Sequence, residues 1–184
     1  MKTLMIIGIG IILVVVIALG AISYISYDMS NRATVSETLN PNGAIVGNAL
    51  VVYDPSITGN TKNVAGRIAS DLKAEGYEVD LAGIKSATAS NTSKYDVIVV
   101  GGPIYAGNIS SAVKAYLEIL KPVEGTKVGV FATGDPHTTD NELIKKQIAP
   151  IPENSTFQIK AVMNIISGDD VNKKCNEFVN DLLQ

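Results

Sequence analysis

Ser56, Thr58, Gly59, Asn60 and Thr61 follow the apolar run Leu50-Val51-Val52-Tyr53 and open an amphipathic segment. The first turn of a helix carries unpaired backbone N–H groups and about half a unit of positive charge, so an anion placed there is stabilised. The hydroxyls of Ser56, Thr58 and Thr61 add donors. Gly59 removes a β-carbon that would hold a ligand oxygen off the backbone, and Asn60 tolerates left-handed conformations. The chemistry this spacing fits is the gripping of a phosphate. Taken alone, the same residues also fit a plain strand-to-helix turn with a hydroxyl cap.

Two common phosphate loops are absent. No Gly-x4-Gly-Lys-Ser/Thr occurs, and Gly8-Ile9-Gly10 lies in an apolar run without the third glycine of a dinucleotide fingerprint. The segment resembles instead the FMN-phosphate loop of flavodoxins, a strand ending in an aromatic followed by Ser/Thr-x-Thr-Gly-x-Thr. Tyr53 ends the strand and Ser56, Thr58, Gly59, Asn60 and Thr61 fill the pattern. Asp54-Pro55 makes the loop about one residue longer than the common form.

Two further stretches extend the resemblance. Gly101-Gly102-Pro103-Ile104-Tyr105-Ala106-Gly107-Asn108 resembles the first flavin-contacting loop, which implies that Pro103, Ile104, Tyr105, Ala106 and Gly107 lie against the ring. Tyr105 offers an aromatic face, and the glycines let backbone approach closely. Where flavodoxins place their second flavin loop stand Thr133, Gly134 and Asp135, with backbone N–H groups for the pyrimidine edge. The family commonly sandwiches the flavin with an aromatic there, and this loop has none; His137, the single histidine, is its planar group. A solvated histidine or a helix cap is the plain alternative for His137.

The resemblance implies FMN as cofactor, with a redox partner protein or quinone-type acceptor as partner. In such a domain the flavin performs the chemistry and no catalytic side chain is required, which leaves electron carrier and FMN-dependent oxidoreductase both open. A flavin-free docking or regulatory module on the same fold is the rival. One histidine and one cysteine make no metal site. A receiver domain is excluded because the strand before Gly101 ends in Val100, with no acidic acceptor there, and a GxSxG hydrolase elbow is missing.

These loops need a frame. The chain has 184 residues, 46% of them hydrophobic, and a net charge of −3; the absence of any basic cluster argues against nucleic acid as a partner. Thr3 to Tyr27 contains no charged residue, and its apolar core from Leu4 to Ile25 spans about 33 Å as a helix, against about 30 Å of bilayer hydrocarbon. Residues 1–27 therefore read as a single-pass anchor in a lipid bilayer, longer than the apolar core of a signal peptide, with Ala18-Leu19-Gly20 leaving cleavage as the alternative. Lys2 and Arg32 flank it at opposite ends and leave the side of the soluble domain open. Residues 28–47 read as a polar linker.

From 48 to 184 apolar strands alternate with helical stretches: strands near 49–54, 77–82, 95–100, 126–132 and 157–166, helices near 61–75, 109–120, 138–148 and 169–183. The alternation predicts a five-stranded doubly wound parallel sheet, α/β in class, and the resemblance adds the strand order 2-1-3-4-5. Ligands then bind outside the carboxyl ends of the strands at the switch point, where the three loops converge. Cys175 falls in the core stripe of the last helix, a packing position.

Overall fold

Val97–Tyr105 is the longest strand and is buried at every position but its last, as its continuous Val/Ile run requires of a strand covered on both faces. It lies in the middle of the sheet. The structure, a computed structural model, describes residues 2–134, 141–148 and 157–184.

In chain order the elements are α1 (Lys2–Thr34), β1 (Ser36–Leu39), β2 (Gly47–Tyr53), α2 (Asn60–Ala74), β3 (Tyr77–Gly83), α3 (Ala87–Ser90), β4 (Val97–Tyr105), β5 (Asn108–Ile109), α4 (Ser111–Ile119), β6 (Lys127–Thr133), α5 (Asn141–Ile148), β7 (Ile159–Ile165) and α6 (Val171–Leu183). The sheet runs β1-β3-β2-β4-β6-β7. The five strands from β3 to β7 pair in parallel, in the expected 2-1-3-4-5 order. The switch point falls between β2 and β4, so the loops after them open at one edge.

Each face of the sheet carries its own core. Val64, Ala65, Ile68 and Leu72 of α2 and Cys175, Phe178 and Leu182 of α6 cover one face. Val113 and Leu117 of α4 and Ile144 and Ile148 of α5 cover the other. Full burial of each large side chain contributes about 1.5 to 3 kcal/mol. Burial also pushes the Cys175 thiol up to about 12, which keeps it protonated and inert.

Three features depart from the sequence reading. The strand before the second loop does not stop at Val100 but continues through Gly-Gly-Pro to Tyr105. It can do so because Phe131 and Val113 fill the spaces where Gly101 and Gly102 lack side chains: a β-carbon there would stand 2.1 Å from the Phe131 ring and 2.6 Å from Val113 Cγ2. These glycines admit neighbouring side chains, not a ligand.

Residues 28–47 are also more ordered than a tether. The helix continues to Thr34, supported by an Asp28–Arg32 ion pair one turn apart. Ser36–Leu39 then pairs antiparallel with β3 as an edge strand. The Asp80 carboxylate holds this edge, accepting from Thr38 Oγ1, from Lys94 Nζ at 2.9 Å and from the Tyr95 hydroxyl at 2.6 Å.

The end of α1 is sealed onto the sheet. The last carbonyls of a helix lack intrahelical partners; here Ala33 O accepts from Lys85 N–H at 2.8 Å and Arg32 O from the Tyr53 hydroxyl at 3.2 Å. Val35 O takes Gly83 N–H at 2.8 Å. Before that seam, the large apolar side chains from Ile7 to Tyr27 stand exposed, and α1 is long and apolar enough to cross a membrane.

Candidate functional site

The loop from Asp54 to Gly59 leaves the carboxyl end of β2 at the switch point. Gly59 N–H bonds Ser56 O at 3.1 Å to close a turn, and Gly59, with φ of 80°, stands in the left-handed region as the N-cap of α2. Gly59 itself has no side chain to cap this helix. Thr61 N–H is taken by Ser56 Oγ at 3.2 Å and Ile57 N–H by the Tyr105 hydroxyl at 3.3 Å. The amides of Thr58, Asn60 and Lys62 donate to no acceptor among the described residues. Thr58 and Asn60 are exposed beside them.

This donor set fits a phosphate: unpaired amides at a helix start, the hydroxyl of Thr58, and a glycine at the turn. Ser56 is buried, and its oxygen caps Thr61 N–H while the hydroxyl proton remains available to Thr58, 3.5 Å away. Thr61 lies differently from the pattern's implication. Its side chain has no exposure, and its hydroxyl pairs at 2.8 Å with that of Thr133 at the end of β6. That bond joins the first and third loops.

Pro103 and Ile104 are buried inside β4, Pro103 in register with Thr133 and Ile104 in the core. Of the second loop, Tyr105, Ala106, Gly107 and Asn108 reach the surface, Tyr105 with 49% of its area exposed. Ala106 and Gly107, at φ of 49° and 76°, turn the chain back into β5. Gln147 of α5 clasps this turn, accepting from Ile109 N–H at 2.7 Å and donating to Gly107 O at 2.6 Å. Gly134 N–H is taken by Ile165 O at 3.0 Å, which leaves it unavailable to a ligand edge. Asp135 and His137 lie outside the described residues.

Residues the pattern did not single out complete the rim. Asp54 accepts from Ser110 Oγ, and burial pushes its carboxyl up against that bond and the charge of Lys85. Arg32, at the end of α1, stands with its Nη1 3.7 Å from where a Gly59 β-carbon would sit. Beyond Thr133 a cleft of about 490 Å³ opens between the starts of α2 and α6, lined by Asn63, Arg67, Ser167 and Asn172 among others. Asn60 of the first loop and Thr133 and Gly134 of the third also line it.

With this geometry in view, a sequence model of the flavodoxin domain matches residues 50–174. The chain belongs to the flavodoxin domain family. Its flavodoxin fold recurs in solved structures of low identity. The Streptococcus pneumoniae TIGR4 flavodoxin superposes with a TM-score of 0.57 at 20% identity, over 73% of this chain and 97% of that one. The two-electron reduced Megasphaera elsdenii flavodoxin gives 0.57 at 24%, over 73% and 97%. The Desulfovibrio gigas rubredoxin oxygen:oxidoreductase gives 0.56 at 15%, over 76% of this chain and 36% of its own. The family match leaves out residues 1–49, which hold the amino-terminal helix and the edge strand that follows it, and residues 175–184.

Proposed function

We propose that this protein is a membrane-anchored, FMN-binding electron carrier working between a soluble reductant and a membrane-associated acceptor, a quinone-type molecule or a redox protein. The observation that carries the reading is the start of α2, where the amides of Thr58, Asn60 and Lys62 have no acceptor among the described residues and Thr58 stands exposed beside them. FMN, when bound, supplies the redox chemistry at its ring.

The chain's own residues hold and orient. The first loop binds the phosphate through main-chain donors and Thr58. Tyr105, fixed by Ile57 N–H and by the Gln147-clasped turn behind it, presents a ring to one side of the opening. The apolar surface of α1 supports residence in a bilayer, which raises the carrier's effective concentration near a membrane acceptor.

The test is a titration of the full chain in detergent micelles with FMN, followed by flavin fluorescence and by the visible spectrum after gel filtration. Quenched fluorescence and co-migrating yellow colour are expected. FMN that stays fluorescent and separates from the protein would remove the carrier and leave the flavin-free docking module.

A further inference from the structure

Arg32 is the residue at this site that belongs to no flavin loop. It sits on the last turn of α1, yet its guanidinium turns towards the phosphate loop, with Nη1 facing Gly59. Nη2 is engaged by the Asp28 carboxylate. Nε is buried and has no acceptor among the described residues. A buried guanidinium N–H without a partner is costly, and a planar fork with free donors is suited to a phosphate.

The position is held by backbone. Arg32 O accepts from the hydroxyl of Tyr53, the residue that ends β2 and leads into the loop. The carbonyls of Ala33 and Val35 are bound by Lys85 and Gly83. The side chain therefore reaches the loop only while the end of α1 stays docked on the sheet.

Resting on the FMN reading above, we infer that Arg32 is a ligand of the cofactor's terminal phosphate, delivered by the apolar helix, so that loading the site and docking the helix end stabilise one another. Asp28 acts as the internal competitor that holds the guanidinium when no phosphate is bound. Linkage makes the effect reciprocal: whatever tightens phosphate binding also tightens the seam.

The experiment compares FMN with riboflavin, which shares the ring and lacks the phosphate, on the full chain in detergent micelles. Arg32→Gln is expected to weaken FMN binding about tenfold or more, the loss of a charged hydrogen-bond partner, with riboflavin binding unchanged. Asp28→Asn is expected to tighten FMN binding and leave riboflavin unchanged. An Arg32→Gln protein that binds FMN as the parent does, or that loses both flavins equally, would overturn the inference. Should Arg32→Gln fail to fold, the Asp28→Asn result decides, and unchanged or weaker FMN binding there overturns it. A parent protein that binds neither flavin fails the FMN reading itself, an outcome separate from these.

Discussion

The hydroxyls of Thr61 and Thr133 meet at 2.8 Å across 72 residues of chain, both side chains buried. The start of α2 and the end of β6 are thereby fixed to each other beneath the proposed phosphate position. A side chain that the spacing offers to a ligand is in fact part of the floor under it.

Removing one hydroxyl of that pair strands the other in a buried site. Thr61→Val is expected to cost about 1 to 3 kcal/mol of stability, and the Thr61→Val/Thr133→Val double variant less than the sum of the singles. Urea unfolding of the four proteins checks this; strict additivity would mean that the two hydroxyls do not interact.

A carboxylate at the mouth of the cradle is a cleaner probe than one beneath it. Thr58 is exposed, so Thr58→Glu is expected to repel FMN through its phosphate while riboflavin binding and the unfolding midpoint stay within error of the parent. Thr61→Glu would instead bury a charge and unfold the loop. Undiminished FMN affinity in Thr58→Glu would place the anion elsewhere.

Asp80 links the edge strand to pH. Burial raises its carboxyl, but the hydrogen bonds from Thr38, Tyr95 and Lys94 and the Lys94 charge outweigh burial and bring it below 3.8. A carboxylate depressed in the folded state contributes stability that is full above its unfolded value and is lost as pH falls through its folded value. Asp80→Asn is therefore expected to cost about 1 to 3 kcal/mol near pH 7, with the difference from the parent narrowing below about pH 4. Denaturant titrations at both pH values test it; a gap that widens in acid would reverse the assignment.

Gly83 is where helix and sheet touch without a side chain between them. A β-carbon there would stand 2.4 Å from the Ala33 carbonyl. Gly83→Ala is expected to release the end of α1 while β2 through α6 remains folded. Hydrogen exchange should show faster exchange at Gly83 and Lys85, with the amides of β4 unchanged. Unaltered protection at Gly83 and Lys85 would mean that the seam absorbs the extra atom.

Much of the fold was legible because parallel strands buried on both faces must be written as apolar runs, as Leu50–Tyr53, Val97–Val100 and Val128–Ala132 are. The position of the first loop followed, since Gly59 and its hydroxyl neighbours mark a strand-to-helix turn after such a strand. Ser36–Leu39 was hidden because it is an edge strand with exposed side chains, held by Thr38 to Asp80 rather than by its own pattern. Gly101 and Gly102 misled for a physical reason: a missing side chain marks a close approach without saying of what, and here Phe131 and Val113 make it. Arg32 carried one available signal, its spacing of four from Asp28, which marks a helix continuing past the apolar stretch.

Only Val35 separates α1 from β1, and it is itself bonded to Gly83. On the proposed reading of α1 as a bilayer anchor, the head would have no leash on which to swing. Its tilt and stand-off from the lipid surface would be set by the helix axis, so a partner would have to meet it at one height and from a restricted range of directions. Encounters would become a two-dimensional search with a fixed approach angle, and a few glycines spliced in at Val35 would exchange that alignment for reach.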